Sequence, residues 1–262
     1  MRKDDICAVI PAAGRGSRLG LDVPKILAPL DTESTVWTHL RDCLAKCAGR
    51  IHVVMSPAFL EMMRRAVAVG PHGGVTVGIQ ERPLGMGDAI FAASAVWKSF
   101  PHLLVVWGDQ AGLSHETLGR VIARHASGLG PRCTLPVVEA ERPYVQYVFR
   151  AGALLEIRQA REGAAVDARG WSDVGVFLLE TAGLEAAWRD YLSQAAAGAV
   201  TGEVNFLPFL VYLSQRRGWK FEAVPVSDAA EARGINTRED LKFFQDRYQQ
   251  RRVQPSSSPA LT

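Results

Sequence analysis

A chain of 262 residues, 48% of them hydrophobic and 22% charged, can bury a substantial core as one large α/β domain or two small ones. A formal charge of +3 without any long Lys/Arg run points away from nucleic-acid binding. No stretch reads as a membrane span or leader, and four cysteines without a CxxC pair fit a reduced, cytoplasmic setting.

Apolar runs at 6–10, 51–55, 75–79 and 103–107 predict strands, and helical patterns at 35–47, 57–68 and 85–98 lie between them. A further helix is expected at 114–126. This wiring predicts a three-layer α/β/α, Rossmann-like domain with a mostly parallel, mixed central sheet. Short runs at 134–138, 144–149, 154–158 and 174–179 lack full helices between them, so they predict the antiparallel or mixed extension. The polar stretch 161–171 reads as a loop over or beside a cleft. Helices return at 182–194, 203–216 and 238–251, and the Ser/Pro-rich 253–262 reads as a disordered tail. No internal repeat is present.

The first strand runs into Pro11-Ala12-Ala13-Gly14-Arg15-Gly16-Ser17-Arg18, and Pro24-Lys25 follows. Small residues let a backbone approach a ligand closely, and successive N–H groups in such a loop form a concavity for anions. Arg18 and Lys25 would meet the most negative part of that ligand. The pattern predicts a triphosphate-binding loop. A Walker loop is absent. A dinucleotide fingerprint fails because Leu19 stands where the third glycine belongs, and the second strand ends in Ser56-Pro57 without an acid. An ordinary strand-to-helix turn would explain the glycines but not the Arg and Pro-Lys.

The fourth strand ends in Trp107-Gly108-Asp109. A carboxylate there faces the crevice where α/β proteins bind ligands and suits Mg²⁺, although it could instead cap the helix that begins near Ser114. Gln80 ends the third strand, and its amide could read a nucleobase edge lying against Gly85 and Gly87. In Gly234-Ile235-Asn236-Thr237, Thr237 reads as a helix N-cap with Asp240 three residues on, which leaves Asn236 free to offer a carbonyl oxygen. Cys43 and Cys47, four apart on a helix, read as core. The six histidines show no metal spacing, and no Ser/His/Asp or Cys/His set stands out.

Taken in order, Pro11-Ala-Ala-Gly14-x-Gly16-x-Arg18, Pro24-Lys25, Gln80, Leu84-Gly85-x-Gly87, Gly108-Asp109, Asp173-x-Gly175 and Gly234-Ile-Asn236 resemble the GT-A-like sugar-1-phosphate nucleotidyltransferases. The pattern is most like the uridylyltransferase half of N-acetylglucosamine-1-phosphate uridylyltransferase. The resemblance implies one nucleotidyltransferase domain over 1–252, with a nucleotide-binding half at about 1–130 and an acceptor-binding half at about 131–252. It implies that Pro11, Ala12, Ala13 and Gly14 hold the nucleotide through backbone groups, with Gly16, Met86 and Gly108 beside them. Gln80 and Gly85 would read the base. Arg18 and Lys25 would bind the β- and γ-phosphates, and Asp109 and Asn236 would hold Mg²⁺. Trp107, Tyr147, Gln159, Asp173 and Gly175 would face the acceptor.

The chain departs from that pattern mostly on the acceptor side. Trp107 replaces a Tyr, Gln159 a Glu and Asp173 an Asn; Met86 and Asp88 alter the base loop; and Tyr144-Val-Gln-Tyr147-Val replaces a Gly-Tyr-Gly-Arg element. Tyr144 and Tyr147, three apart in a strand, face opposite sides, so at most one lines the cleft. Trp171 either reaches the acceptor or anchors a loop, and Glu203 and Asn205 read as first-turn residues of a helix. The expected activity is nucleotidyl transfer from an NTP, UTP favoured, to a sugar 1-phosphate or similar phosphorylated acceptor. A cytidylyltransferase for a non-sugar phosphate or phosphonate stays open as the alternative. A GT-A glycosyltransferase would show an Asp-x-Asp motif, absent here, and a non-catalytic nucleotide sensor would not need Arg18, Lys25, Asp109 and Asn236 together.

Overall fold

Five consecutive buried residues, Ile6 to Ile10, place the first strand at the centre of the molecule. In this computed structural model, residues 1–14, 19–69, 73–150, 152–195, 198, 200 and 202–253 are described. Strand β1 (Ile6–Pro11) sends Ile6, Ala8 and Ile10 into one apolar cluster and Cys7 and Val9 into another. A strand buried on both faces needs a neighbour at each edge and helices above and below. Strands β2 (Arg50–Met55) and β4 (His102–Val106) flank it, both parallel, and β3 (Val75–Ile79) extends the β2 side. The first cluster takes side chains from α1 (Val36–Leu44), α2 (Leu60–Ala68), α5 (His115–Ala126) and α8 (Arg238–Val253). The second takes them from α3 (Met86–Ala92), α4 (Ser94–Trp97), α6 (Leu184–Leu192) and α7 (Phe206–Arg217). The three-layer α/β/α arrangement is as expected.

The sheet has ten strands in the order β3-β2-β1-β4-β9-β5-β8-β6-β7, with β10 paired to β5. Strands β5 (Arg132–Glu141), β6 (Val145–Arg150) and β10 (Lys220–Pro225) run with the first four, while β7 (Ala153–Gln159), β8 (Arg169–Asp173) and β9 (Val176–Glu180) run against them. The chain leaves β1 for β2 on one side and reaches β4 on the other. This reversal opens a crevice at the carboxyl ends of β1 and β4.

Several boundaries differ from the sequence reading. The helix expected at 85–98 is two, α3 and α4, broken at Ala93. The stretch read as loop at 161–171 ends inside β8. Strand β10 was not anticipated, because six residues ending in Pro225 carry little pattern of their own, and pairing with β5 is what holds them. The expected tail lies largely outside the described residues, which end at 253.

One irregularity positions the site. Along one edge of β5, Val137 pairs with Asp173 but Thr134 pairs with Leu178, so β8 and β9 are a single bent path out of register across Val174–Gly175. Gly175 adopts φ +73°, and a Cβ there would lie 2.5 Å from Trp107 Cδ1 and 2.6 Å from Gln110 Nε2. Its carbonyl accepts from the Trp107 N–H at 2.8 Å. Gly175→Ala is therefore expected to cost roughly 3 kcal/mol, through left-handed strain plus overpacking, seen as a shifted denaturation midpoint. An unchanged midpoint would show that the bend relaxes freely and does not fix Trp107.

Candidate active site

Three backbone segments meet at the crevice, packed closely against their neighbours. After β1, the Ala12 N–H donates to Val54 O at 2.8 Å, which holds the loop open toward β2. After β4, a Cβ on Gly108 would stand 2.9 Å from the Ala12 Cβ. Before α8, a Cβ on Gly234 would stand 3.1 Å from the Asp109 carboxylate, and the Ile235 N–H donates to Asp109 O at 3.0 Å.

The third segment is held from behind. Thr237 and Asp240 form the expected capping box: Thr237 Oγ1 accepts the Asp240 N–H at 3.2 Å, and Asp240 accepts the N–H groups of Thr237 and Asn236 at 2.8 and 2.9 Å. Burial works against the charge of Asp240, but Arg233 and these amides hold its carboxyl below the ordinary value. Buried Glu231 ties the same segment to the start of α5, accepting from Ser114 and from Thr117 Oγ1 at 2.9 Å. Ser114 itself caps α5, accepting the Thr117 N–H at 3.1 Å. Asp109 is thus not the cap.

Lys25 enters on a 3₁₀ turn, Lys25–Leu27. Its Nζ donates to Asn236 Oδ1 at 2.6 Å and lies 3.5 Å from Asp109 Oδ2. A carboxylate and an amide oxygen thus converge on one cation, here an ammonium. Two hard oxygens so placed are the donor chemistry that Mg²⁺ takes. Burial pushes the Asp109 carboxyl above its ordinary value, and Lys25 opposes that.

These groups line a cavity of about 500 Å³. Of the residues expected in the nucleotide and acceptor sites, Pro11, Ala12, Gly14, Met86, Trp107, Gly108, Gln159 and Asp173 line it together with Lys25, Asp109 and Asn236. Gly16 and Arg18 lie outside the described residues. Ala13, Gln80, Gly85 and Gly175 do not reach the wall. The Gln80 amide instead donates to Gly85 O at 3.0 Å and to Asp88 at 2.7 Å, so its donors shape the loop. Gly85, at φ +113°, lets that loop press on Glu203 and Val204.

Tyr147 is a correction. Its ring is buried in the second cluster, and its hydroxyl, directed at Asp173, lacks a hydrogen bond of good geometry. Tyr144, exposed, lines the cavity in its place. Glu203, read as a first-turn residue, also lines the wall, whereas Asn205 precedes α7 and accepts from Arg161. Arg161, Gln110 and Ser172 line the cavity too and were not anticipated. Only the position of Arg161, two residues beyond Gln159 at the start of a polar stretch beside the cleft, could have pointed to it. The amide oxygens of Gln110 and Gln159 are buried without a partner.

The thiols take no part. Burial pushes Cys7 and Cys43 up to about 12, so they stay protonated.

The chain matches the MobA-like NTP transferase domain over residues 8–173, from β1 through β8, and belongs to that family. It is 28% identical over 246 residues to the bifunctional protein GlmU of Syntrophotalea carbinolica, covering 92% of this chain and 51% of that protein. It is equally 28% identical to GlmU of Mycobacterium marinum, over 253 residues, 91% of this chain and 49% of that one. The chain therefore spans about half the length of the curated relatives it matches. Among solved structures, it is similar in fold to a Bacillus anthracis chain assigned as a glucose-1-phosphate thymidylyltransferase (TM-score 0.71, 15% identity, 92% and 94% of the two chains). It is also similar in fold to a 4-diphosphocytidyl-2C-methyl-D-erythritol synthase from Anaerococcus prevotii (TM-score 0.66, 13% identity, 94% and 99%). A GT-A-like nucleotidyltransferase fold is thus established. Among the described residues, no helix is long and apolar enough to cross a membrane.

Asp173 gives the site a measurable pH dependence. Burial pushes its carboxyl from 3.8 up to about 6, offset in part by the Gly175 N–H at 2.6 Å. A folded value above the unfolded one means that stability falls as pH rises from 3.8 through about 6. Asp173→Asn keeps an oxygen for Gly175 without the buried charge. At pH 8 it is expected to be more stable than the parent by about 2 kcal/mol, an advantage that vanishes at pH 4. Equal denaturation midpoints at both pH values would contradict a buried ionised Asp173.

Proposed function

We propose that the protein transfers a nucleoside monophosphate from a nucleoside triphosphate, UTP favoured, to a sugar 1-phosphate or similar phosphorylated acceptor and releases pyrophosphate. The observation that carries this reading is the convergence of Lys25, Asp109 and Asn236 in one cavity beside the small-residue loop. The preference for UTP and a sugar 1-phosphate rests on the resemblance of the sequence motifs to the uridylyltransferase half of N-acetylglucosamine-1-phosphate uridylyltransferase.

In the proposed reaction an acceptor phosphate oxygen attacks the α-phosphorus in line, and the bond from the α-phosphorus to the bridging oxygen breaks. The leaving group is pyrophosphate. A phosphate monoester has a second pKa near ~6, so the nucleophile is already largely dianionic at neutral pH and needs no general base. This agrees with a cavity in which Asp109 sits by the Lys25 ammonium.

The difficulty is bringing two anions together. Asp109 and Asn236 would hold Mg²⁺, which supplies charge neutralisation and orientation where the phosphates meet. Lys25 adds a fixed positive charge at the same point, Arg161 offers another on the acceptor wall, and the backbone of Pro11 to Gly14 would seat the phosphates. Arg18 is assigned to the β- and γ-phosphates from the sequence alone. On the acceptor wall the Asp173 carboxylate accepts and does not donate, beside the side chains of Gln110 and Gln159. A hydroxyl-bearing acceptor such as a sugar phosphate would supply a donor to that carboxylate.

A pyrophosphate-release screen crossing the common triphosphates with sugar 1-phosphates and other phosphorylated or phosphonate acceptors tests the reading. Turnover is expected with a hydroxyl-bearing phosphate; preference for CTP and a phosphonate would replace the substrate assignment. Lys25→Ala is expected to lower turnover about 10²–10³-fold, or ~2.7–4 kcal/mol, with an intact thermal transition. Asp109→Ala should leave no magnesium-dependent activity. Near-parental turnover in Lys25→Ala, or no pyrophosphate from any pair, would remove the proposal.

A further inference from the structure

At the end of the sheet remote from the cavity, a second cluster of convergent side chains lies outside the proposed substrate site. His102 begins β4 and Glu180 ends β9; they are cross-strand partners. His125, in the last turn of α5, drops its ring onto His102 edge to face, with centroids 5.2 Å apart. His102 Nδ1 lies 3.6 Å from one Glu180 oxygen, and His125 Nε2 lies 3.6 Å from the other.

Neither separation is a hydrogen bond. Both nitrogens are buried without a partner, and the His125 side chain is 0% exposed. Two orphaned imidazole nitrogens against a carboxylate are an unfavourable burial unless something sits between them. All three donor atoms lie within 4.8 Å of one another. In a tetrahedral site with bonds of about 2.0–2.1 Å the ligand atoms stand about 3.4 Å apart, a few tenths below the two imidazole-to-carboxylate separations of 3.6 Å. The donor set of two imidazoles and a carboxylate suits zinc-class ions.

The surroundings fit the same reading. His125 Nδ1 contacts Thr134 Oγ1 at 2.9 Å; with its N–H given to that hydroxyl, Nε2 presents its lone pair to the cluster. Burial holds His125 down to about 3 and lowers His102 as well, with Arg132 contributing to both, so both rings are neutral and able to ligate at pH 7. Asp5 and the chain amino terminus also act on His102, and Asp5 is engaged by Arg2 at 2.9 Å. Glu180 is 27% exposed, which leaves a path for an ion and a water ligand.

We propose that His102, His125 and Glu180 form a three-ligand site, completed by water, for a zinc-class divalent ion that pins α5 to the β4–β9 seam. The five residues of β4 alone place it roughly 17 Å from the Asp109 cavity. The site is a structural staple and takes no part in nucleotidyl transfer.

The full chain, stripped with chelator and kept in excess Mg²⁺, is titrated with Zn²⁺ by calorimetry and with Co²⁺ by visible absorption. One equivalent of Zn²⁺ should bind and raise the thermal midpoint. Co²⁺ should show a tetrahedral-type band without thiolate charge transfer. Glu180→Gln and His102→Gln, at partly exposed positions, should each weaken Zn²⁺ binding at least about tenfold while leaving the metal-free midpoint and pyrophosphate release unchanged. Asp109→Ala should bind Zn²⁺ as the parent does, which separates this site from the proposed magnesium site. No saturable Zn²⁺ binding, or parental affinity in both ligand variants, would overturn the proposal, as would loss of binding in Asp109→Ala.

Discussion

The ammonium of Lys25 is the interaction around which the cavity is organised. It joins Asp109 and Asn236, which lie 84 and 211 residues further along the chain, and so ties the first crossover, the end of β4 and the approach to α8 together at one point. Two oxygens aimed at one another across a cavity would repel without a cation between them. Supporting residues face this point from outside. Asp240 accepts from the amides on either side of the Asn236–Thr237 bond, and buried Glu231 binds the preceding turn to α5. Helix-capping interactions, which are local and rigid, thus back up the point at which Lys25 joins the three segments.

What the sequence made legible follows from the range over which the cause acts. The sheet around β1, the alternation of its neighbours with helices, and the glycine positions at strand ends are set by residues adjacent in the chain, and these were read correctly. Thr237 and Asp240 are three apart, so their reciprocal bonds were legible too. The parity of β6 told that Tyr144 and Tyr147 point to opposite faces, but only packing decided between them. Tyr147 falls on the face covered by the second apolar cluster. Gln80 lies off the cavity wall, and its amide donates to Asp88, a residue unusual for the resembled family, eight positions along the chain. Arg161, β10 and the bend at Gly175 owe their places to partners far along the chain, and no local pattern carries that information.

The two halves of the cavity differ in how they are built, and this bears on specificity. Beside the small-residue loop the wall is tightly packed: a Cβ on Gly108 would stand 2.9 Å from the Ala12 Cβ, and one on Gly234 would come within 3.1 Å of the Asp109 carboxylate. Toward β7 and β8 the wall is side chains, among them Gln159, Ser172 and Asp173, whose carboxyl burial raises to about 6. A backbone wall changes little when residues are substituted; a wall of side chains is remodelled by single substitutions. That division fits a small-residue loop that keeps the resembled family's pattern beside a region in which Trp107, Gln159 and Asp173 all depart from it.

Strand β9 links both ends of this design. Running against β4, it begins immediately after the bend at Gly175 that seats Trp107 and Asp173, and it ends at Glu180 beside His102 and His125. Its middle, Phe177 to Leu179, is fully buried between β4 and β5. A strand clamped in this way has little room to shift, because close-packed interiors have little free volume. Its register is fixed by β4, which pairs with it over five residues from His102 to Val106, while its pairing with β5 covers Cys133 and Thr134.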